Sequence, residues 1–166
     1  TIQLDFVQPE RFNLEYIAED GTKKRPVMIH KALLGATERF LSVYIEHTAG
    51  KFPVWLAPEQ IRLASVNQEP ATLKFVDELA EKARALGLRV GVDNDNESVG
   101  KKIRSSEMLK VPYTVIVGEK EIARGDIMPR VRKDMEVKPL EAAIPVDEFL
   151  QSVATEANNR ASKSSL

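Results

Sequence analysis

The sequence predicts an α/β fold: a mixed, largely parallel sheet flanked by helices, preceded by a β-hairpin and a helix of separate character. Three observations predict it. Beyond residue 60, short apolar runs of strand length alternate with longer amphipathic stretches, the order of right-handed β-α-β crossovers. Before residue 52 the punctuation is that of a hairpin running into one helix. Between them, Phe52-Pro53-Val54-Trp55-Leu56-Ala57-Pro58 carries two prolines five residues apart, which break both helix and central strand. The expected division is therefore 1–52, 53–160 and a polar tail, 161–166, expected to fray.

Each element has its own justification. Ile2, Leu4 and Phe6 alternate with Gln3 and Asp5, the period of a half-buried strand with a polar second face. Glu19 to Arg25 has turn chemistry around Gly21, and Pro26 to His30 is a short apolar run ending on a polar residue, which together read as a hairpin. From Gly35 a helical period sets in through Phe40, Leu41, Tyr44 and Ile45 and stops at Gly50. Ile61 to Val66 is strand-like. Pro70 to Leu86 places Leu73, Val76, Leu79, Ala83 and Leu86 on one helical stripe before Gly87. Leu88 to Val92 is a strand, Ser98 caps a helix carrying Val99, Ile103 and Leu109, and Val111 to Val117 is a further strand. Ile127 to Val131 reads as one more strand, and Ile144 to Ala157 as a final helix burying Phe149, Leu150 and Val153.

Composition narrows the function classes. The 166 residues suffice for one ordinary domain plus part of another, and 43% hydrophobic with 30% charged residues is the balance of a soluble globular chain. Lys and Arg number 24 against 25 Asp and Glu, so the net charge of -1 gives no bulk attraction for nucleic acid or an acidic membrane; a polyanion site must be a local patch. Cysteine is absent, which excludes disulfides, thiolate catalysis and Cys-based metal motifs, and two histidines cannot make an all-protein His cluster. No apolar run reaches the roughly 20 residues of a membrane span, so the expected compartment is the cytoplasm. The text opens directly on the alternation TIQLDF, which suggests a fragment of a longer chain.

Several motifs fail on inspection. Asp93-Asn94-Asp95-Asn96-Glu97 begins like a calcium loop, but Ser98 stands where glycine is needed and Arg104 where a bidentate glutamate is needed. Gly91 with Gly100-Lys101-Lys102 hints at a phosphate loop, but Asp95 occupies a glycine position and Lys102 the Ser/Thr position.

What remains is the block Arg25-Pro26-Val27-Met28-Ile29-His30-Lys31-Ala32-Leu33-Leu34-Gly35-Ala36-Thr37-Glu38-Arg39-Phe40. It resembles motif 3 of the class II aminoacyl-tRNA synthetases. With TIQLDF before it and IEHTAGKFPVWLAPEQ after it, the resemblance narrows to the threonyl-tRNA synthetase branch, and the remainder is similar to that branch's class IIa anticodon-binding domain. The spacing agrees, with 27 residues from Gln3 to His30 and nine from His30 to Arg39.

The resemblance implies a ligase that activates threonine with ATP and Mg2+ and transfers it to threonine tRNA. Arg39 matches the catalytic arginine of motif 3, which holds the γ-phosphate, a task suited to a guanidinium that never deprotonates. Gln3 and Gly35 match adenosine-site positions. His30 matches one of three Zn2+ ligands, the zinc recognising the amino and hydroxyl groups of threonine so that valine is rejected. The other two ligands belong upstream, so this chain alone is expected to hold no cofactor tightly and to be inactive. His47 is read as structural. Asn96, Glu121 and Arg130 match anticodon-contacting positions. Lys101 and Lys102, with Arg104 and Lys110, form a local basic patch for tRNA backbone contacts. Asp95 and Ser98 stand where basic residues are common, Lys31 replaces an arginine and Ala36 a serine. The partners implied are the anticodon stem-loop of threonine tRNA, threonine and ATP, and a second copy of the full-length chain. Neither a membrane nor DNA is expected. Two alternatives stay open at this point: a free-standing tRNA-binding module without catalysis, and an unrelated flavodoxin-like or thioredoxin-like domain.

Overall fold

The computed structural model describes residues 1–136 and 138–166. The chain divides into two compact units, Thr1–His47 and Thr48–Leu166.

In the first unit, strand β1 (Ile2–Asp5) pairs antiparallel with β4 (Met28–Lys31), in the register Ile2 with Lys31, Gln3 with His30, Leu4 with Ile29 and Asp5 with Met28. Between them come a short helix α1 (Val7–Arg11) and a two-residue ladder of β2 (Tyr16–Ile17) with β3 (Lys23–Lys24). The turn at Gly21, where φ is +75°, closes this smaller ladder, so the expected hairpin is split. The apolar run ending at His30 pairs with the chain's first strand, because β1 supplies a matching alternation and β2 is too short to cover it. Helix α2 (Thr37–Thr48) follows. Pro9 is the only buried residue described in this unit, while Ile2, Leu4 and Ile29 are each more than 60% exposed.

The second unit carries the core. A four-stranded sheet has the order β6-β5-β7-β9, from β5 (Ile61–Ser65), β6 (Val90–Asp93), β7 (Tyr113–Val117) and β9 (Arg130–Val131). The first three strands are parallel and β9 is antiparallel to β7, the mixed, largely parallel sheet expected. Ile61, Leu63, Tyr113, Val115 and Val117 alternate onto one face, where they meet α3 (Pro70–Ala85) and α6 (Val146–Asn158) through Val76, Leu79, Phe149, Leu150 and Val153. Arg62 and Thr114 point to the opposite face, beneath α4 (Val99–Met108): Thr114 hydrogen-bonds Ser106, and the Arg62 guanidinium lies 3.5 Å from the Ser105 hydroxyl. Ser98 caps α4, accepting the Lys101 N–H as expected.

The expected strand over 127–131 is divided. Met128-Pro129 separates β8 (Asp126–Ile127), which pairs with β10 (Ile144–Pro145), from β9, because proline cannot donate to a ladder. Helix α5 (Glu119–Arg124), too short to show a period, was not foreseen.

Two boundaries are corrected. Residues 48–52 belong to the second unit, since Arg132 Nη2 donates to the Phe52 carbonyl at 2.8 Å. The tail 161–166 does not fray. Ser164 N–H donates to the Met135 carbonyl at 3.0 Å, Ser165 donates N–H and hydroxyl to Glu156 at 2.6 Å, and Ser164 and Tyr113 hydroxyls meet at 2.7 Å. Glu156 is a buried carboxylate that also accepts from Tyr113, and the polar tail supplies its remaining donors.

Candidate nucleic-acid interface

Within the second unit, the carboxyl ends of the parallel strands release three loops, the place where open α/β sheets bind ligands. Asn96 sits exposed in the loop after β6. Glu121 is in the first turn of α5, just after β7, where its Oε2 accepts the Gly118 N–H at 2.9 Å. One carboxylate oxygen thus caps the helix that carries it. Strands β6 and β7 flank β5, so these two loops leave the sheet roughly 10 Å apart. Arg130 is exposed on β9 directly opposite Thr114, and therefore on the α4 side of the sheet. Thr114 lies about 13 Å back along β7 from Gly118. The structure spreads the three residues over the sheet edge and one face rather than gathering them into a cluster.

Beside Arg130 lies a cavity of about 570 Å³ with Thr114, Ile103, Met128 and Val131 in its walls and Lys51, Lys110 and Lys133 among its lining residues. Among the described residues the Arg130 guanidinium has no hydrogen-bond or ion-pair partner; only the Arg130 backbone is engaged, in the β7–β9 ladder. Arg132, two residues on, is fully engaged: it donates to the carbonyls of Lys110 (2.6 Å) and Phe52 (2.8 Å) and to both oxygens of Asp134. Burial pushes the Asp134 carboxyl up, but the Arg132 hydrogen bond and charge outweigh it and hold the group below its ordinary value. Arg132 fixes the wall; Arg130 is left available.

The basic patch is only partly as expected. Lys101 and Arg104 are exposed on one stripe of α4, Lys101 paired with Glu97, whose carboxylate raises the lysine above its ordinary value. Lys110 follows the helix in a left-handed conformation, φ +59°. Lys102 is the correction: it is 1% exposed and cannot touch a phosphate. Successive positions on a helix point about 100° apart, so Lys102 turns inward where Lys101 faces out, a difference that a count of basic residues does not register.

Sequence reading missed Gln68 and Asn94. Gln68 Nε2 donates to the Asn94 carbonyl at 2.7 Å, joining the loops after β5 and β6, and Asn94 Oδ1 is buried with no partner among the described residues. Their signal was position, polar amides just beyond the carboxyl ends of two parallel strands.

In the first unit, the β1–β4 register puts Gln3, Asp5, Met28 and His30 on one face. His30 Nε2 is 3.0 Å from Asp5 Oδ2, while Asp5 Oδ1 accepts the N–H groups of Val7 and Gln8. The Gln8 N–H foremost, then His30 and the Val7 N–H, hold the Asp5 carboxyl below its ordinary value against some desolvation. Asp5 is the reason for the polar face of β1. Among the described residues no three His, Cys, Asp or Glu side chains are grouped to hold a metal, so His30 fits zinc only as one ligand of a larger set. Gly35 takes φ +69° with open space where a Cβ would stand, so glycine here serves the turn into α2. Arg39 is exposed in the first turn of α2, His47 exposed in its last, Lys31 exposed on β4, and Ala36 in the turn between.

Comparison with known proteins adds to this geometry. Residues 60–156 match the model of the anticodon binding domain, and residues 1–48 match that of the tRNA synthetase class II core domain (G, H, P, S and T). A threonine–tRNA ligase of Finegoldia magna is 46% identical over 163 residues, and one of Clostridium acetobutylicum is 41% identical over 162. These alignments cover 96% and 98% of this chain but 24% of each relative, so the chain spans about a quarter of their length. The solved RNA binding domain of threonyl-tRNA synthetase from Cryptosporidium parvum superposes with a TM-score of 0.78 at 33% identity, covering 93% of this chain and 38% of that one. No described helix is long and apolar enough to cross a membrane.

Proposed function

We infer the function from one premise: this chain belongs to the anticodon binding domain family, and it is homologous to the C-terminal region of threonyl-tRNA synthetases, with part of a class II core at its start. The second unit binds the anticodon loop of threonine tRNA. Asn96, Glu121 and Arg130 read opened-out bases, and Lys101 with Arg104 holds the backbone. The observation that carries this reading is Arg130, an exposed guanidinium with no partner among the described residues, held over a cavity whose wall is braced by Arg132.

The first unit supplies the motif 3 part of an ATP site, with Arg39 on the γ-phosphate, Gln3 and Gly35 toward the adenosine, and His30 as one zinc ligand held by Asp5. Its exposed Ile2, Leu4 and Ile29 and its lack of a core support the reading that it is one piece of a larger catalytic domain. The whole enzyme activates threonine with ATP and Mg2+, carries Zn2+, forms a homodimer and works in the cytoplasm. The chain alone lacks motifs 1 and 2, so it catalyses no threonine-dependent pyrophosphate exchange and retains no stoichiometric zinc; either activity in the purified chain contradicts this assignment.

Threonine anticodons share guanine and uracil as second and third letters, so the test is binding to threonine anticodon stem-loops and variants at those bases. Arg130→Ala weakens cognate binding by about 1–3 kcal/mol and flattens preference at one base. An equal loss for every anticodon makes Arg130 a backbone clamp instead.

A further inference from the structure

The buried Lys102 has no part in the function as so far derived, and its surroundings are specific. From α4 its ammonium reaches under the sheet edge, donating to the Ser65 carbonyl at 2.9 Å, the Ser65 hydroxyl at 3.2 Å and the Asp93 carbonyl at 3.2 Å, with Asp93 Oδ1 at 3.9 Å. Ser65 and Asp93 are the last residues of β5 and β6. The loops they release carry Gln68 and Asn96, and the Gln68 side chain bonds the Asn94 backbone across the gap. A buried cation is expensive unless every proton finds an acceptor, and a methionine there would fill the same volume. What the lysine adds is a fixed link between two strand ends and the helix packed beneath them.

We propose that Lys102 is a positioning residue for anticodon reading: its ammonium clamps the carboxyl ends of β5 and β6 to α4 and so fixes the loop from which Asn96 meets the base. It touches neither base nor phosphate. A backbone shift of about 1 Å in that loop is enough to misplace an amide against a base edge, so the effect falls on discrimination more than on overall attraction. This inference rests on the reading of Asn96 as a base contact.

The test uses this chain, anticodon stem-loops with the threonine sequence and with either read base replaced, and several salt concentrations. In Lys102→Met the ratio of cognate to variant affinity falls about tenfold, the scale of one base contact, while the slope of log affinity against log salt is unchanged. Because the chain has no cysteine, Lys102→Cys can be alkylated uniquely with 2-bromoethylamine in denaturant and refolded; the restored ammonium recovers the ratio. A folded Lys102→Met chain with an undiminished ratio shows a purely structural lysine, and a salt slope reduced by about one shows a phosphate contact; either overturns the proposal. If Lys102→Met does not fold, Ser65→Ala, which removes only one acceptor, decides by the same ratio: at least a twofold fall is expected, and no change overturns the proposal. An unsubstituted chain without anticodon preference overturns the base-reading assignment and this inference with it, whereas a failure confined to the variants overturns this inference alone.

Discussion

At the residue scale, the interface is built on a contrast between neighbouring cations. Arg130 and Lys101 are exposed, Lys101 in a surface pair with Glu97, whereas Arg132 and Lys102 donate inward to carbonyls of the fold. Lys101→Ala therefore leaves the melting temperature unchanged but lowers the salt slope of tRNA binding by about one. Lys102→Met does the reverse, removing the donor that the Ser65 carbonyl and hydroxyl and the Asp93 carbonyl share, at a cost of about 1–3 kcal/mol read in thermal unfolding. Asp134 gives a pH dependence of known sign. Its folded value lies below that of the unfolded chain, so the stabilisation is present above an unfolded value near 3.8 and is lost as pH falls through the lower folded value. Asp134→Asn should remove this part of the acid-induced loss of stability, measured as unfolding free energy below pH 4. Sequence could propose Arg130 and Glu121 through resemblance to a known motif. It could not separate Lys101 from Lys102, because side-chain direction on α4 is set by the sheet that the helix packs upon.

At the element scale, the strongly periodic pieces were legible and the short ones were not. β5, α3, β7 and α6 carry apolar residues at strand or helix spacing, and they lie close to where their patterns put them. Helix α5 and the β2–β3 ladder are too short to show a period, and the break at Met128-Pro129 depends on which strand each half finds as partner. The C-terminal tail illustrates the same limit. Its composition is that of a solvated end, yet a buried carboxylate on α6 waits for its hydroxyls and N–H groups. Glu156→Ala removes the acceptor for Tyr113 and Ser165, so it should destabilise the second unit by about 2–3 kcal/mol and expose residues 163–166 to carboxypeptidase, whereas an exposed site on α6 such as Gln151→Ala should do neither.

At the scale of the whole molecule, two units of unequal self-sufficiency share one chain. Residues 48–166 hold the buried core, and residues 1–47 bury only Pro9 among the described residues. Expressed separately, 48–166 should unfold in one cooperative transition, while 1–47 should show none by calorimetry. The central claim is that the second unit reads the anticodon of threonine tRNA. Its most direct measurement is the affinity of the unsubstituted chain for a threonine anticodon stem-loop against loops with the second or third anticodon base replaced, at fixed salt. The account predicts a loss of about 1–3 kcal/mol for each replacement and little effect of changing the first base. Equal affinity for all of these loops would contradict it.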